Sequence, residues 1–139
     1  MIPATWNDRG LISCDPGSVS ERFLIVDDNE EFLQTARSKL EGEGIEIVGT
    51  ARTGTEAVRQ TSTLRPDVVL VDISLADESG FEVARRLVDL PGGRRRVVLI
   101  STRSEEDFTE LIEESPAVGF VSKAEVSARA IYRLLRRAS

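Results

Sequence analysis

The chain contains no histidine among its 139 residues. Histidine is the side chain whose ordinary pKa lies closest to neutral pH, and it is the commonest metal ligand in proteins. Its absence excludes acid–base catalysis by histidine, a histidine-ligated zinc site and a phosphohistidine in this chain. Any chemistry must therefore use carboxylates, hydroxyls and ammonium groups.

Cysteine is almost as scarce, because Cys14 is the single one. One cysteine forms neither an intrachain disulfide nor a thiolate cage for a metal, which favours a reducing compartment. The first ten residues, MIPATWNDRG, lack the apolar segment of a secretory signal, and no apolar run approaches membrane-spanning length. We expect a cytoplasmic protein without a membrane partner.

Basic residues are outnumbered, with 18 Lys and Arg against 24 Asp and Glu, and the formal net charge is −6. Sequence-independent binding to nucleic acid needs clustered basic side chains that displace counterions from phosphates. We therefore expect no direct nucleic-acid binding by this chain. The length suits one domain whose hydrophobic core needs no metal or disulfide.

Residues 1–20 differ from the rest of the chain in composition. They contain Pro3, Gly10, Pro16 and Gly17, and their few apolar residues follow no period. This composition is typical of a tail or linker. We predict a flexible N-terminal tail over residues 1–20 and one domain over residues 21–139.

Short apolar segments alternate with amphipathic ones along the predicted domain. Residues 68–71, which follow Pro66, are four β-branched or aliphatic residues in a row, and such a run is typical of a strand buried on both faces of a parallel sheet. The predicted strands are residues 23–26, 45–48, 68–71, 97–100 and 117–121.

Five helices are predicted from capping residues and from apolar residues at helical spacing. Asn29 caps the first, Thr53 with Glu56 forms a capping box for the second, the third spans residues 80–90, and Ser104 caps the fourth. Buried positions are expected at Phe108, Leu111 and Ile112 in the fourth helix, and at Val126, Ala130, Ile131, Leu134 and Leu135 in the last. The alternation predicts a flavodoxin-like, doubly wound (βα)5 fold of the α/β class, with a five-stranded parallel sheet in the order 2-1-3-4-5.

Polar side chains directly follow four of these strands. They are Asp27 and Asp28 after the first, Asp72 after the third, Ser101 after the fourth, and Lys123 near the end of the fifth. The carboxyl ends of parallel strands meet at one edge of the sheet, and ligands of doubly wound folds bind there. In the expected strand order, Asp28 and Asp72 face each other across the crevice.

Clustered carboxylates repel one another unless a hard cation such as Mg²⁺ lies between them. Mg²⁺ commonly takes one or two carboxylates together with phosphate oxygens. A carboxylate can itself attack a phosphoryl donor and form an acyl phosphate, and the ammonium of Lys123 can absorb charge on the phosphoryl oxygens. The edge therefore suits phosphoryl chemistry, although each of these residues taken singly is more typical of a loop, a cap or a surface.

Four motifs in order carry a resemblance to a known family. They are Val26-Asp27-Asp28, Val71-Asp72-Ile73 with Gly80 downstream, Ile100-Ser101, and Gly119-Phe120-Val121-Ser122-Lys123. Together they resemble the receiver domain of bacterial two-component response regulators, from about Glu21 to Arg137. Each motif is weak alone, and the four at these spacings are specific.

The resemblance implies a role for each matching residue. Asp72 is expected to be the phosphoacceptor, and Asp27, Asp28, Asp72 and the backbone carbonyl of Ser74 are expected to hold Mg²⁺. Ser101 is expected to be the hydroxyl that moves onto the phosphoryl group, Phe120 the aromatic that turns inward with it, and Lys123 the cation that contacts the phosphate. The domain would assist its own phosphorylation and dephosphorylation without being a turnover enzyme.

Three positions depart from the family pattern. Ala76 and Ala124 stand where prolines are common, and Thr102 replaces the small residue that usually follows the switch hydroxyl. A looser loop after Asp72 and narrower access to it are expected to alter the rates of phosphorylation and dephosphorylation. They are not expected to alter the chemistry.

The expected partners follow from the same resemblance. A sensor histidine kinase is expected to donate the phosphoryl group. An effector or an output domain outside this chain is expected to receive the signal through the fourth helix, fifth strand and fifth helix. The charge pattern suggests a second copy of this chain as a further partner. Acidic residues recur at helical spacing on the fourth helix and basic residues on the fifth, so that two copies could form a homodimer through these helices. The acidic residues are Glu106, Glu110 and Glu113, and the basic ones are Arg129, Arg133 and Arg136.

Two other classes of function remain open at this stage. One is a receiver-like interaction module that works without phosphorylation, against which the complete set of site residues speaks. The other is a flavin binder or an aspartyl phosphohydrolase. A flavin site needs a hydroxyl- and glycine-rich loop where this chain has DDNEE, and the phosphohydrolases place a second Asp where this chain has Ser74.

Overall fold

The computed structural model describes residues 21–93 and 95–138, which form five strands and five α-helices in alternation. The strands are β1 (Arg22–Val26), β2 (Glu46–Ala51), β3 (Val68–Asp72), β4 (Arg96–Ser101) and β5 (Gly119–Ser122). The helices are α1 (Glu30–Gly42), α2 (Gly54–Leu64), α3 (Gly80–Asp89), α4 (Thr109–Glu114) and α5 (Ala128–Ala138), and 3₁₀ turns at Glu105–Phe108 and Lys123–Glu125 follow β4 and β5. The predicted tail, residues 1–20, lies outside the described residues.

All strand pairs are parallel, and the strands are ordered β2-β1-β3-β4-β5. The predicted fold class and strand order are therefore confirmed. β1 and β3 are neighbours, with Val26 opposite Val71, so the residues that follow both strands emerge side by side. The chain leaves β1 and β3 toward opposite faces of the sheet, which opens a crevice at this point.

The two faces of the sheet bury separate apolar clusters, because successive side chains of a strand point to opposite faces. Phe23 and Ile25 of β1 pack with residues of α1 and α5, such as Leu33 and Ile131. The intervening Leu24 and Val26 pack with residues of α2 and α3. The middle strands are thus buried on both faces, as the unbroken apolar run at 68–71 predicts.

The helix caps form at Asn29 and Thr53, but the capping box is only half formed. Glu56 Oε1 accepts the backbone N–H of Arg52 at 2.6 Å, where the box would have it accept that of Thr53. The Asn29 side chain accepts the backbone N–H of Phe32 at 3.1 Å, and the Thr53 hydroxyl accepts the backbone N–H of Glu56 at 3.1 Å. Gly44, two residues beyond the end of α1, has a φ of +95°, a conformation that favours glycine.

Two strand boundaries differ from the prediction by more than one residue. β2 extends to Ala51 instead of ending at residue 48, because Gly49 pairs with Leu24 while α2 packs closely over it. A side chain at Gly49 would place Cβ 3.1 Å from Leu64 Cδ1. β5 starts at Gly119 instead of residue 117, so that Ala117 and Val118 belong to the loop.

The predicted fourth helix is wrong in detail. Its first turn is a 3₁₀ turn, Phe108 has the non-helical φ of −131°, and α4 is only six residues long. This break changes the helical phase, so that Leu111 is 50% exposed instead of buried, while Phe108 and Ile112 do pack on the core. Ser104 makes no side-chain capping bond.

The same break affects the predicted acidic stripe. Glu106 lies in the 3₁₀ turn, whereas Glu110 and Glu113 lie in α4, so the three do not share one continuous helical face. At the other helix, α5 begins at Ala128, and the buried Val126 belongs to the preceding loop. Arg129, Arg133 and Arg136 of α5 are exposed as predicted.

Candidate functional site

The predicted site residues meet at the carboxyl edge of the sheet. Asp72 and Ser101 are the last residues of β3 and β4, Asp27 directly follows β1, and Lys123 directly follows β5. Pairing of β3 with β4 places Asp72 beside Ile100, the residue before Ser101. The topology thus brings together residues that are far apart in the chain.

Three carboxylates form a compact cluster at this edge. One carboxylate oxygen from each of Asp27, Asp28 and Asp72 lies within 4.8 Å of the others. Asp27 is fully buried, Asp72 is 5% exposed and Asp28 is half-buried. Mg²⁺ is a hard cation that binds oxygen ligands, so this all-oxygen donor set suits it better than the nitrogen and sulfur sites preferred by zinc.

Backbone contacts fix the position of Asp27. Its own N–H donates to the carbonyl of Ala51 at the end of β2, at 2.9 Å. Its Oδ1 accepts the backbone N–H of Asn29 at 2.8 Å. The carboxylate therefore sits in a tight turn at the start of α1, with Oδ2 directed to Lys123.

The loop after Asp72 is closed by backbone contacts. Asp72 Oδ1 accepts the Ser74 N–H at 3.3 Å, a β-bridge joins Ser74 to Ser79, and the Gly80 N–H donates to the Ile73 carbonyl at 2.7 Å. A Cβ at Gly80 would lie 2.7 Å from Ile73 Cα and would also overlap the backbone carbonyl of Asp72. Only glycine allows α3 to start this close to the end of β3.

The ammonium of Lys123 lies between two of the carboxylates. Its Nζ is 2.5 Å from Asp27 Oδ2 and 3.5 Å from Asp72 Oδ2, and its side chain is 12% exposed. The ring centroid of Phe32, in α1, lies 4.6 Å from the same nitrogen. A buried lysine is thus held by two opposite charges and one aromatic face.

Asp72 carries a perturbed pKa. Burial raises the pKa of its carboxyl from 3.8 to about 6, and the negative charge of Asp27 adds to the rise. The ammonium of Lys123 and the N–H of Ser74 lower the pKa and only partly offset these effects. Such a pKa in a cleft is typical of a functional carboxylate. A cation within the cluster would stabilise the charged form.

The two predicted switch residues lie on the neighbouring strands, Ser101 at the end of β4 and Phe120 in β5. Ser101 is 3% exposed, and its Oγ accepts the backbone N–H of Arg103 at 3.0 Å. Phe120 is half-buried and packs against the apolar cluster on the α2 and α3 face. Thr102 and Phe120 line a surface groove of about 600 Å³ between the loop after β4 and helix α5.

Sequence reasoning missed two residues near the site. Arg52 directly follows β2, and its guanidinium donates to the Asp28 carbonyl at 3.3 Å. A predicted second strand that ended at Ala51 would have indicated Arg52, because Arg52 would then directly follow a strand end at the same edge of the sheet. Phe32 lies among the apolar residues of α1, and no local signal in the sequence shows that Lys123 packs on it.

A carboxylate from the loop after Asp72 also contacts α2. Glu78 Oε2 accepts the Gly54 N–H at the first turn of α2 at 2.7 Å, and Glu78 Oε1 lies 3.4 Å from Arg86 Nη1. The loop is therefore tied to a neighbouring helix as well as closed on itself.

Comparison with known proteins identifies similar chains. The family model of the response regulator receiver domain matches residues 23–135. The chain is 33% identical over 103 residues to protein-glutamate methylesterase/protein-glutamine glutaminase 5 of Myxococcus xanthus, covering 73% of this chain and 30% of that protein. It is 29% identical over 108 residues to response regulator GacA of Pseudomonas viridiflava, covering 73% of this chain and 48% of that protein. The chain thus spans less than half the length of these two relatives.

Solved structures give the same result. The signal receiver domain of a modulated diguanylate cyclase from Desulfovibrio desulfuricans superposes with a TM-score of 0.71 and 30% sequence identity, covering 86% of this chain and 94% of that one. Between residues 21 and 138, none of the described helices has the length and hydropathy needed to cross a bilayer.

Proposed function

This chain belongs to the response regulator receiver domain family, and we propose that it is a signalling switch that accepts a phosphoryl group on Asp72 from a sensor histidine kinase. One observation carries the proposal. Asp72 ends the central buried strand within 4.8 Å of Asp27 and Asp28, with the Lys123 ammonium 3.5 Å away. Nucleophile, acidic cluster and cation therefore share one crevice.

In the proposed reaction, a carboxylate oxygen of Asp72 attacks the phosphorus atom of the donor. A P–O bond forms, the bond from phosphorus to the donor nitrogen or oxygen breaks, and the leaving group takes that electron pair. The pKa of about 6 leaves Asp72 mostly ionised at neutral pH, so the attacking oxygen needs no separate base. The product is an acyl phosphate.

Lys123 then holds the charged product. Transfer places phosphoryl oxygens on the side chain whose Oδ2 lies 3.5 Å from the Lys123 ammonium. An ammonium stabilises such oxygens as a point charge. Its low exposure strengthens the interaction, because little water screens it.

The acidic cluster fits a magnesium ion. Asp27, Asp28, Asp72 and the backbone carbonyl of Ser74 would hold it, and its oxygen-only donor set matches the preference of this cation. When bound, Mg²⁺ neutralises charge that accumulates on the phosphoryl oxygens. The chain's own contribution is to fix Asp27 through Ala51 and Asn29, and Asp72 through the closed loop at Gly80.

The switch from input to output is proposed to run through Ser101 and Phe120. The Ser101 hydroxyl leaves or shares its contact with the Arg103 N–H and donates to the phosphoryl group, and Phe120 turns inward. The groove lined by Thr102, Phe120 and Leu134 then changes shape. This groove is lined by the loop after β4, by β5 and by α5. It borders the surface of α4, β5 and α5, where an effector or a linked output domain would bind.

The proposal includes a cytoplasmic location, as a histidine kinase partner requires, and no turnover of substrate beyond self-phosphorylation and self-dephosphorylation. It also includes phosphorylation-dependent pairing of two copies through α4 and α5. The exposed Arg133 of α5 and the exposed Glu110 of α4 offer opposite charges for such a pair. The acidic surface of this proposed pair consists of the 3₁₀ turn before α4 together with α4 itself.

The direct test is labelling with acetyl phosphate and Mg²⁺, followed by mass spectrometry. The wild-type chain should gain one phosphate, and Asp72→Asn should gain none. Asp77→Asn is the matched control, because Asp77 is an exposed carboxylate in the same loop and lies outside the acidic cluster. It should be labelled like the wild type.

Equal labelling of the wild type and Asp72→Asn would show that the phosphoacceptor is wrongly assigned. A wild-type chain that takes no phosphate from acetyl phosphate or from any sensor kinase of its organism would contradict the whole proposal. It would then favour an interaction module that works without phosphorylation.

A further inference from the structure

Lys123 forms a closed circuit of contacts with three other residues. Lys123 Nζ lies 2.5 Å from Asp27 Oδ2, and Asp27 Oδ1 accepts the Asn29 N–H at 2.8 Å. The Asn29 side chain accepts the Phe32 N–H at 3.1 Å, and the Phe32 ring centroid lies 4.6 Å from Lys123 Nζ. The backbone of Phe32 is therefore fixed relative to the carboxylate, and its ring lies against the ammonium.

The ion pair alone does not keep Lys123 ready for Asp72. Nζ is 1.0 Å closer to Asp27 than to Asp72, from the separations of 2.5 Å and 3.5 Å. A lysine side chain is long and flexible, and its compact charge follows the nearest carboxylate. A further contact that attracts the ammonium without neutralising it would restrict this movement.

The ring of Phe32 has the properties that this contact needs. The face of an aromatic ring attracts a cation through its quadrupole when the cation lies within about 6 Å of the centroid. The attraction is stronger where water is excluded, and the Lys123 side chain is only 12% exposed. The ring carries no charge, so it leaves the ammonium free to bind phosphoryl oxygens.

We propose that Phe32 is a positioning residue for Lys123, and that its ring face holds the ammonium between Asp27 and Asp72 for an incoming phosphoryl group. The inference rests on the proposed function of this site. Phe32 acts through Lys123 and need not touch the phosphoryl group itself. The attraction between the aromatic ring face and the ammonium, more than the volume of the side chain, positions Lys123.

Nuclear magnetic resonance gives a direct readout of this geometry. The chain has only two lysines, Lys39 and Lys123, and Lys39 is exposed on α1. Protons next to the face of a ring are shifted upfield, so the ε-methylene protons of Lys123 should be displaced from those of Lys39. The displacement should vanish in Phe32→Leu and persist in Phe32→Tyr, while Lys39 serves as the reference in each spectrum.

The functional readout is affinity for beryllium fluoride in the presence of Mg²⁺, a mimic of the phosphoryl group. Phe32→Leu, which keeps an apolar side chain, should weaken binding by about 3- to 10-fold, while Phe32→Tyr should stay near the wild type. Replacing Phe32 with phenylalanines of one, two and three ring fluorines should weaken binding stepwise, because fluorine withdraws electron density from the ring face.

The matched control is Tyr132→Leu. Tyr132 is a half-buried aromatic that packs on the same apolar cluster as Phe32, and its ring contacts Phe23 instead of a lysine. This variant should lose stability without losing affinity for beryllium fluoride. It thereby separates general loosening of the core from loss of the ring face.

Two results would overturn the inference while leaving the proposed function intact. One is that the proteins with one, two and three fluorines on the ring at position 32 all bind beryllium fluoride as tightly as the wild type does. The other is a Lys123 signal that coincides with that of Lys39 in the wild type. If the wild type instead fails to be labelled at Asp72 by acetyl phosphate, the proposed function fails, whereas the lysine signals still report whether the ring holds Lys123.

Discussion

The Ser101 hydroxyl oxygen accepts a hydrogen bond from the backbone N–H of Arg103, with 3.0 Å between the two heavy atoms. The oxygen acts here as an acceptor, so the hydroxyl hydrogen is still available to a further acceptor. A phosphoryl group on Asp72 would supply one. The resting contact therefore keeps Ser101 at the sheet edge without using its donor.

Ser101→Ala is expected to weaken the binding of beryllium fluoride with Mg²⁺ by about 10- to 150-fold, in keeping with about 1.5–3 kcal/mol for a lost hydrogen bond to a charged group. Fluorine magnetic resonance measures this affinity. Ser115→Ala is the control, since Ser115 Oγ accepts the Ala117 N–H at 3.2 Å in the same local geometry away from the site. Equal losses in both variants would refute a specific role for Ser101.

Because the pKa of Asp72 is raised, the ionised carboxylate is predicted to lower the free energy of unfolding, and the size of this effect depends on pH. The folded state raises the pKa from 3.8 to about 6, so it favours the protonated form. This stabilisation is complete below about pH 4 and is lost as the pH rises through about 6. At about 1.4 kcal/mol per pH unit, the loss is on the order of 3 kcal/mol.

Asp72→Asn should therefore be increasingly more stable than the wild type as pH rises. With a chelator present to remove divalent cations, the two proteins are compared by urea denaturation. The difference between their free energies of unfolding should grow by about 2–3 kcal/mol from pH 4 to pH 8. Saturating Mg²⁺ at pH 8 should reduce the difference, because it stabilises the ionised carboxylate. A difference that is the same at pH 4 and pH 8 would contradict the assigned pKa.

Gly80→Ala is expected to destabilise the protein and to misplace Asp72. Its Cβ would overlap the backbone around Asp72 and Ile73, which cannot yield as a side chain can. We expect a loss of about 1–3 kcal/mol or more in the free energy of unfolding, together with slower labelling by acetyl phosphate. Gly42→Ala is the control, because no atom lies within 4 Å of its added Cβ. If both variants behave alike, the close approach at Gly80 is not limiting.

Arg95 is expected to be a main support of α3. The residue is 8% exposed, and its guanidinium donates to the carbonyls of Leu87 at 2.8 Å, Leu90 at 2.9 Å and Pro91 at 3.3 Å. These carbonyls lie at or just beyond the end of α3, where helical donors run out, although the Leu87 carbonyl also accepts the Leu90 N–H at 3.4 Å. Arg95→Ala should therefore lower the free energy of unfolding by about 2–4 kcal/mol in urea denaturation.

The control for this prediction is Arg129→Ala, which removes an exposed arginine of α5. A surface substitution of this kind should change the free energy of unfolding by no more than about 0.5 kcal/mol. If Arg95→Ala changes the free energy of unfolding as little as Arg129→Ala does, the prediction is wrong. Water or other donors would then satisfy the three carbonyls.

Pairing of two copies through α4 and α5 should depend on charge. The phosphorylated wild type should show a concentration-dependent rise in mass by light scattering, and added salt should weaken it, because salt screens exposed charges. Arg133→Glu should abolish the rise, and adding Glu110→Lys should partly restore it. A phosphorylated protein that is monomeric at all concentrations would leave these charges as contacts for a different partner.

Local patterns in the sequence determined the fold class and the identity of the candidate site. The unbroken apolar run at 68–71 requires burial on both faces, and strict alternation of strands and helices requires a parallel sheet with right-handed crossovers. Because all strands of such a sheet point the same way, polar residues at their carboxyl ends must meet. Asp27, Asp28, Asp72, Ser101 and Lys123 could therefore be assigned to one edge without coordinates.

Only the tertiary structure decided how these groups contact one another and where the fourth helix breaks. A periodic pattern does not show that Phe108 interrupts α4 and turns Leu111 to solvent, because that break depends on packing against the neighbouring elements. Nor does it show that Lys123 favours Asp27 over Asp72 and rests on Phe32. Those contacts join residues far apart in the chain, and their distances are set by the packing of α1 and β5 on the sheet.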